Sequence, residues 1–139
     1  MTKQIRAMDI TLLAREILQR FPKIHGAYLF GSAATGELRA DSDLDIALLQ
    51  LDAIPPSDVI SLKGFLSERF RRDSDIVDLY RSDSVTAAQV VTTGIEILNS
   101  SPRKVAEFET MALSRYALLN EERSEILKDI ETTGTIYGR

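Results

Sequence analysis

Two aspartates follow a glycine–serine pair in the segment LFGSAATGELRADSDLDIALL, residues 29–49. Side chains alternate along a strand, so Asp43 and Asp45 are predicted to share one face, roughly 6–7 Å apart at their roots. Two anions at that separation repel each other, and each resists losing water. A cation between them relieves both costs, and oxygen ligands without His or Cys favour Mg²⁺. The spacing therefore predicts a magnesium site at these two aspartates.

The Gly31-Ser32 pair indicates where phosphates would bind. A glycine at a strand end permits close approach of the backbone to a ligand. The residues that follow can start a short helix, whose exposed N–H groups and the Ser32 hydroxyl form an anion cradle. Asp-Ser-Asp and Gly-Ser also occur in ordinary turns, which is the structural alternative for each piece alone. Their combination between two apolar strands favours a site for Mg²⁺ and nucleotide phosphates.

A third carboxylate is available in RRDSDIVDLYRSD, residues 71–83. Asp75 and Asp78 differ by three positions, so on a strand they face opposite sides and only one can join the site. Asp73 and Asp83 are interpreted as turn or cap residues. The alternation leaves the choice between Asp75 and Asp78 open.

The choice has consequences for the neighbouring side chains. If Asp75 joins the site, Val77 and Leu79 share its face, and Ile76 and Tyr80 share the face of Asp78. A lone buried Asp78 carboxylate would then need a cationic partner, with Arg72 and Arg81 as the candidates.

Hydrophobic periodicity supplies the elements that would position these residues. Helices are predicted from a cap at Asp9 to Pro22, from a cap at Ser57 through Phe70, and weakly over 82–92. Strands are predicted at 23–30, 44–51, 75–80 and 94–99. Ser101 and Pro102 are predicted to begin a final helix with one apolar face. The fold class is therefore α/β (α+β), a small mixed β-sheet flanked by helices. We expect one domain over 1–139, with a core of about 9–98 and a C-terminal helix of about 101–132.

Composition narrows the class of protein. Hydrophobic residues make up 44% and charged residues 27% of the 139 residues, which is typical of a globular protein. There is no cysteine, which excludes disulfides and thiolate metal sites. The net charge of −4 disfavours broad nucleic-acid binding. No apolar run approaches the ~20 residues of a membrane span, and a cytoplasmic location is expected.

The stretch FGSAATGELRADSDLDIAL resembles the signature of the DNA polymerase β-type nucleotidyltransferase superfamily, over roughly residues 9–98. The resemblance implies the polymerase β-like nucleotidyltransferase fold and two Mg²⁺ ions that position a nucleoside triphosphate. It implies that Gly31 and Ser32 bind its phosphates and that Asp43 and Asp45 are catalytic metal ligands. The family places its third carboxylate early in a later strand, ahead of apolar residues, which Asp75 matches better than Asp78.

The short chain and its C-terminal segment resemble the minimal nucleotidyltransferases called MNT antitoxins, which pair with HEPN-domain toxins. The resemblance implies transfer of AMP from ATP to a tyrosine of a HEPN ribonuclease. Two alternatives remain: an antitoxin that acts by binding alone with a vestigial nucleotide site, and a nucleotidyltransferase that modifies a small molecule. The final helix either covers the core or also binds the partner.

Overall fold

The computed structural model describes residues 7–35 and 43–133, in which helices and strands alternate. The strands are β1 (Gly26–Phe30), β2 (Leu44–Leu49), β3 (Ser74–Asp78) and β4 (Ile95–Asn99). The helices are α1 (Ala7–Arg20), α2 (Ser32–Thr35), α3 (Pro56–Phe70), α4 (Ser84–Thr93) and α5 (Pro102–Thr133), with a 3-10 helix at Leu79–Arg81. The element order agrees with the predicted one, and the short α2 lies where the residues after Gly31 were expected to start a helix.

The four strands form one mixed sheet in the order β3-β2-β1-β4. β1 pairs antiparallel with β2 and β4, whereas β2 pairs parallel with β3. β2 lies inside the sheet and is covered on both faces, so its side chains from Ile46 to Leu49 are fully buried. This two-sided burial explains why the strand is a nearly continuous apolar run. The predicted fold class is confirmed.

Helices pack on both faces of the sheet. On one face, α1 and α3 cover a cluster that includes Leu13, Ile17, Leu44, Ile46, Leu62 and Leu66. On the other, α4 and α5 cover a cluster that includes Tyr28, Ala47, Leu49, Val90, Val105 and Phe108. Alternate residues of β2 therefore enter different clusters, as the period of two requires. Asp45, the carboxyl-bearing residue of β2, lies on the α4–α5 face.

Two predicted helix caps are wrong. α1 begins at Ala7, so Asp9 lies inside its first turn, where its carboxylate pairs with Arg69 at 2.7 Å. α3 begins at Pro56 with Pro55 as its cap, and Ser57 is already helical. Proline suits the first helical turn because a backbone N–H at that position would have no acceptor within the helix, so its absence costs no hydrogen bond. In both cases a proline or a tertiary ion pair replaced the local side-chain cap that the sequence suggested.

The predicted starts of the last two helices agree better with the structure. The Asp83 carboxylate caps α4 by accepting the Thr86 N–H at 2.7 Å. Ser101 precedes α5, and its carbonyl accepts the Val105 N–H at 2.9 Å. The apolar face of α5 is buried only as far as Ala112, however, and Ile126 is 53% exposed. The apolar face predicted for α5 is therefore buried by the core only along its first part.

Within the described ranges, no helix combines the length and the apolar character that a membrane crossing needs.

Candidate active site

Asp45 and Asp75 are direct neighbours across the parallel pair β2–β3, where the register joins their Cα positions. Paired residues on adjacent strands project from the same face, so both carboxylates lie on the α4–α5 face. Asp43 immediately precedes β2, two positions before Asp45, and is exposed. The structure thus brings the three aspartates that the sequence singled out to one edge of the sheet.

The electrostatics of Asp45 agree with this arrangement. Burial raises the pKa of the Asp45 carboxyl, and the charges of Asp75 and Asp43 raise it further. Repulsion from two like charges makes the ionised form of Asp45 costly. A bound cation would reverse the sign of that interaction. The cluster is therefore a place where binding of a cation is favoured by the chain's own charges.

Gly31 lies directly against Asp45. It adopts a left-handed backbone with φ of 67°, and a Cβ placed on it would collide with the Asp45 Oδ2 and lie 3.2 Å from the Asp45 Cγ. The Gly31 carbonyl accepts the Ala34 N–H at 3.1 Å as the chain turns into α2 at Ser32. Only glycine meets both the steric and the conformational requirement. The predicted phosphate loop and the predicted metal ligands are therefore in contact.

Asp78 lies on the opposite face, in register with Leu48. Its carboxylate pairs with Arg81 at 3.0 Å. Arg81 is one of the two arginines that the sequence offered as partners for a buried Asp78. The predicted face of Tyr80 is wrong, because β3 ends at Asp78 and the chain enters a 3-10 helix. Tyr80 instead joins the α4–α5 cluster and meets the Phe108 ring edge-on.

The carboxylates are compatible with a hard divalent ion. Within residues 7–35 and 43–133, no group of three or more acidic or imidazole side chains is arranged as a cage for a metal ion. Mg²⁺ needs no such cage, because it keeps several waters and usually takes one or two carboxylates together with substrate phosphates. Asp45 and Asp75 are paired in register, and Gly31 beside them has no side chain. This arrangement fits a Mg²⁺ ion held by two carboxylates and substrate phosphates.

Two features of the site escaped the sequence. Phe30 lies directly across β1–β2 from Asp45, so its half-buried ring shares the carboxylate face. Tyr28, two residues earlier, donates its hydroxyl to the Glu109 Oε2 at 2.6 Å and so ties β1 to α5. The alternation of Tyr28 and Phe30 gave a local signal for the shared face. Nothing local linked Tyr28 to a glutamate 81 positions away.

Residues 14–103 match the family model described as Polymerase beta, Nucleotidyltransferase. The chain belongs to this family, and its fold is the polymerase β-like nucleotidyltransferase fold. Membership agrees with the site, since the matched span contains Gly31, Ser32, Asp43, Asp45 and Asp75.

The chain is 31% identical to the protein adenylyltransferase MntA of Shewanella oneidensis over 128 residues, covering 92% of this chain and 89% of that relative. A crystal structure of a toxin–antitoxin with AMP-PNP matches with a TM-score of 0.74 at 29% identity, covering 88% of this chain and 98% of the other. A complex of the tri-AMPylated Shewanella oneidensis HEPN toxin with MNT antitoxin matches with a TM-score of 0.65 at 28% identity and the same coverage.

Proposed function

We propose that the chain is an antitoxin adenylyltransferase that transfers AMP from ATP to a tyrosine of a cognate HEPN toxin and thereby neutralises it. The relatives support this assignment: one is a protein adenylyltransferase, one is a toxin–antitoxin with AMP-PNP, and one contains a tri-AMPylated HEPN toxin. The observation that carries the proposal is the contact of the Gly31 backbone with Asp45, which itself pairs in register with Asp75.

Gly31 and Ser32 hold the β and γ phosphates in this proposal. The left-handed turn favours glycine at position 31, so no side chain occupies the space beside Asp45. Ser32 follows Gly31 at the start of α2, so its hydroxyl and the backbone N–H groups of this turn would donate to the phosphate oxygens. The triphosphate would then lie along the edge of the sheet that carries the carboxylates.

Asp43, Asp45 and Asp75 would hold two Mg²⁺ ions, all three for one ion and Asp43 with Asp45 for the other. Bound there, Mg²⁺ would neutralise triphosphate charge and stabilise the attacking and leaving oxygens. Carboxylates and phosphates repel each other, so the three aspartates would orient the α-phosphate only with cations held between them. Their mutual repulsion raises the affinity of the site for cations.

The reaction joins the acceptor to AMP and releases pyrophosphate. The phenolic oxygen forms a bond to the α-phosphorus, and the bond from that phosphorus to the β-phosphate oxygen breaks. A free tyrosine has a pKa of about 10, so its proton must be drawn off near neutral pH. A carboxylate of the cluster can accept this proton as a general base, and a cation held there would lower the pKa of the phenol.

A labelling experiment tests the proposal. Purified chain, purified HEPN partner, Mg²⁺ and ATP labelled at the α-phosphate should give labelled partner, and peptide mass spectrometry should place AMP on tyrosine. Omission of Mg²⁺ should abolish transfer. Labelling of a small molecule in place of the partner, or loss of toxicity without any labelling, would support one of the two alternatives instead.

Asp75 and Asp78 form a matched pair for this assay. Asp75→Asn should abolish labelling while it leaves the melting temperature unchanged or slightly higher, because Asp75 faces Asp45. Asp78→Asn should label normally and lose roughly 0–1 kcal/mol of stability, the usual worth of a partly exposed ion pair. An inactive Asp78→Asn beside an active Asp75→Asn would contradict the assignment of the third carboxylate.

A further inference from the structure

β3 forms one edge of the sheet. It comes first in the strand order β3-β2-β1-β4, so no strand pairs with its outer side in the part of the chain that the structure describes. The Asp73 carbonyl accepts the Leu44 N–H at 2.9 Å and so points toward β2. Backbone groups alternate sides along a strand, so Ser74, Ile76 and Asp78 direct their N–H and C=O groups to the outer side. The edge therefore offers a row of backbone donors and acceptors.

An apolar groove runs beside this edge, on the sheet face opposite to the carboxylates. It has a volume of about 440 Å³, and its apolar lining comes from Ile54, Pro56, Val59, Ile60 and Ile76. Ile60 is 70% exposed, more than any other large apolar side chain that the structure describes. A free strand edge beside an apolar groove is the arrangement that binds extended peptides by strand addition.

The carboxylate site opens toward the same edge. Gly31 contacts Asp45 from the β1 side, whereas Asp75 lies on the β3 side and is exposed. In-line displacement puts the attacking oxygen opposite the leaving pyrophosphate. In the proposed function Gly31 and Ser32 hold the phosphates, so the acceptor oxygen arrives over Asp75, from the outer edge of the sheet.

We propose that the acceptor tyrosine reaches the site by strand addition: an extended segment of the acceptor protein pairs antiparallel with β3 and places the tyrosine across from Asp75. This inference rests on the proposed function and specifies how its acceptor is recognised. Asp75 directs its own N–H and C=O toward β2, so it and the tyrosine form a pair without hydrogen bonds, with Cα atoms about 4.5 Å apart. The tyrosine ring then projects from the carboxylate face, beside Asp45 and Asp75.

The residue before the tyrosine is recognised by the groove. In an antiparallel pair this residue faces Ile76, exchanges two backbone hydrogen bonds with it and directs its side chain to the opposite face of the sheet. That side chain enters the groove beside Ile60 and Val59. The acceptor segment is therefore an extended stretch in which an apolar residue precedes the tyrosine.

Charge disfavours a second copy of this chain as the occupant of the edge. β3 carries Asp75 and Asp78 within its five residues. Two β3 strands paired edge to edge would bring the carboxylates of both copies onto one short ribbon, and like charges on paired strands repel. An acceptor segment without acidic residues avoids this repulsion.

Kinetics with a synthetic peptide test the inference. The peptide has about nine residues, enough to span a strand, and is centred on the tyrosine that the partner protein carries when labelled. With Mg²⁺ and labelled ATP, Ile60→Gln should lower kcat/KM for the peptide at least about fivefold, through KM, because it removes apolar surface from the groove.

Leu18→Gln is the matched control. Leu18 is 42% exposed on α1, outside the groove, and its substitution should change kcat/KM for the peptide less than about twofold. Both substitutions are uncharged, so neither changes the field at the carboxylates. ATP affinity and melting temperature should stay close to wild type in both variants. Equal effects of Ile60→Gln and Leu18→Gln on the peptide would overturn the inference.

Methylation of the peptide backbone tests the hydrogen bonds themselves. An N-methyl group on the residue before the tyrosine removes the N–H that donates to the Ile76 carbonyl and should abolish labelling. An N-methyl group on the tyrosine, whose N–H points away from β3, should leave labelling within about twofold. The reverse pattern would support strand addition with the segment parallel to β3. Equal labelling of the two peptides, or equal loss, would overturn the inference.

Three further outcomes separate this inference from its alternatives. A partner protein that is labelled while the unmodified peptide is not would overturn the inference and leave the proposed function intact. Absence of labelling on both would overturn the proposed function as well. Sedimentation of the chain alone should give the same species for wild type and Ile60→Gln, and a dimer that this variant dissociates would assign the edge to a second copy and overturn the inference.

Discussion

Asp45 lies between two like charges, with Asp75 beside it across β2–β3 and Asp43 two positions earlier. The sequence identified all three, because alternation along a strand places Asp43 and Asp45 on one face. It did not identify the register that sets Asp45 beside Asp75, since pairing between distant strands depends on the whole sheet. The choice of Asp75 over Asp78 came from family resemblance, and the orientation of β3 agrees with it.

The raised pKa of Asp45 leads to a prediction about stability and pH. The Asp45 carboxyl loses its proton at a higher pH in the folded chain than in the unfolded chain, where an aspartate has a pKa of about 3.9. Stability is therefore lost as the pH rises from that value through the raised pKa. Asp45→Asn cannot ionise, so it should be more stable than wild type at neutral pH. Cross-strand charge pairs suggest a gain of roughly 0.2–1 kcal/mol.

Urea denaturation of both proteins at pH 7 and at pH 3 measures this difference. The gain of Asp45→Asn should be largest at pH 7 and should disappear in acid. Added Mg²⁺ should stabilise wild type more than the variant. A variant that is less stable than wild type at neutral pH would contradict the repulsion argument.

Gly31 gives a second prediction at the scale of one residue. In Gly31→Ala the new methyl group would collide with the Asp45 carboxylate. The alanine would also have to keep the left-handed backbone of Gly31, which alone costs roughly 1–2 kcal/mol. We expect Gly31→Ala to lower stability by at least that amount and to abolish transfer. Denaturant unfolding and the labelling assay measure the two effects.

Gly64 is the matched control for Gly31. It lies inside α3 with open space where a Cβ would go, so Gly64→Ala should stabilise the chain by roughly 0.5–1 kcal/mol and leave transfer unchanged. Equal behaviour of the two variants would show that the contact with Asp45 has no role.

At the scale of elements, the sequence predicted strands and helices better than their ends. Apolar runs and periodicity identified β1 to β4, because burial imposes those patterns. The start of α1 differs because Asp9 pairs with Arg69 on α3, a contact that no local pattern encodes. β3 ends two residues before its predicted end, since the chain turns into the 3-10 helix at Leu79. That turn moved Tyr80 to the other face.

The hydrogen bond from Tyr28 to Glu109 joins two elements and gives a third prediction. Tyr28 is 2% exposed, and its hydroxyl bonds a carboxylate at 2.6 Å. Tyr28→Phe removes the donor and should cost roughly 1.5–3 kcal/mol, the usual worth of a hydrogen bond to a charged group. Combining it with Glu109→Gln in a double-mutant cycle should show coupling between the two positions. Additive losses would contradict a direct bond.

Alkaline titration gives an independent readout of the same bond. Burial raises the pKa of the Tyr28 phenol, and the hydrogen bond to Glu109 and the charges of Glu109 and Glu96 raise it further. Stability from this group is therefore present below about pH 10 and lost as the pH rises above it. One of the four tyrosines should resist ionisation, by ultraviolet absorbance, until the chain unfolds.

At the scale of the whole molecule, the buried core and the carboxylate site lie in the sheet, its covering helices and the first part of α5. The sequence showed that α5 is amphipathic but could not show where its burial ends. Burial requires an opposing surface, and α4 with the sheet provides one only as far as Ala112. Beyond Ala112 the apolar residues keep the same helical spacing, but none of the side chains over residues 113–131 is buried.

This division predicts the effect of shortening the chain. A chain that ends at Ala117 keeps Val105, Phe108, Ala112 and the Glu109 partner of Tyr28, so it should fold with a melting temperature close to that of the full chain. A chain that ends at Lys104 loses those three buried side chains. Removing the Phe108 ring alone costs about 3–5 kcal/mol, and a domain has only about 5–15 kcal/mol in total, so the shorter chain should not fold. Circular dichroism melts compare the two. The chain ending at Ala117 should still bind ATP with Mg²⁺ by calorimetry, because it keeps the sheet and the carboxylate site. If that chain unfolds, the second half of α5 belongs to the core.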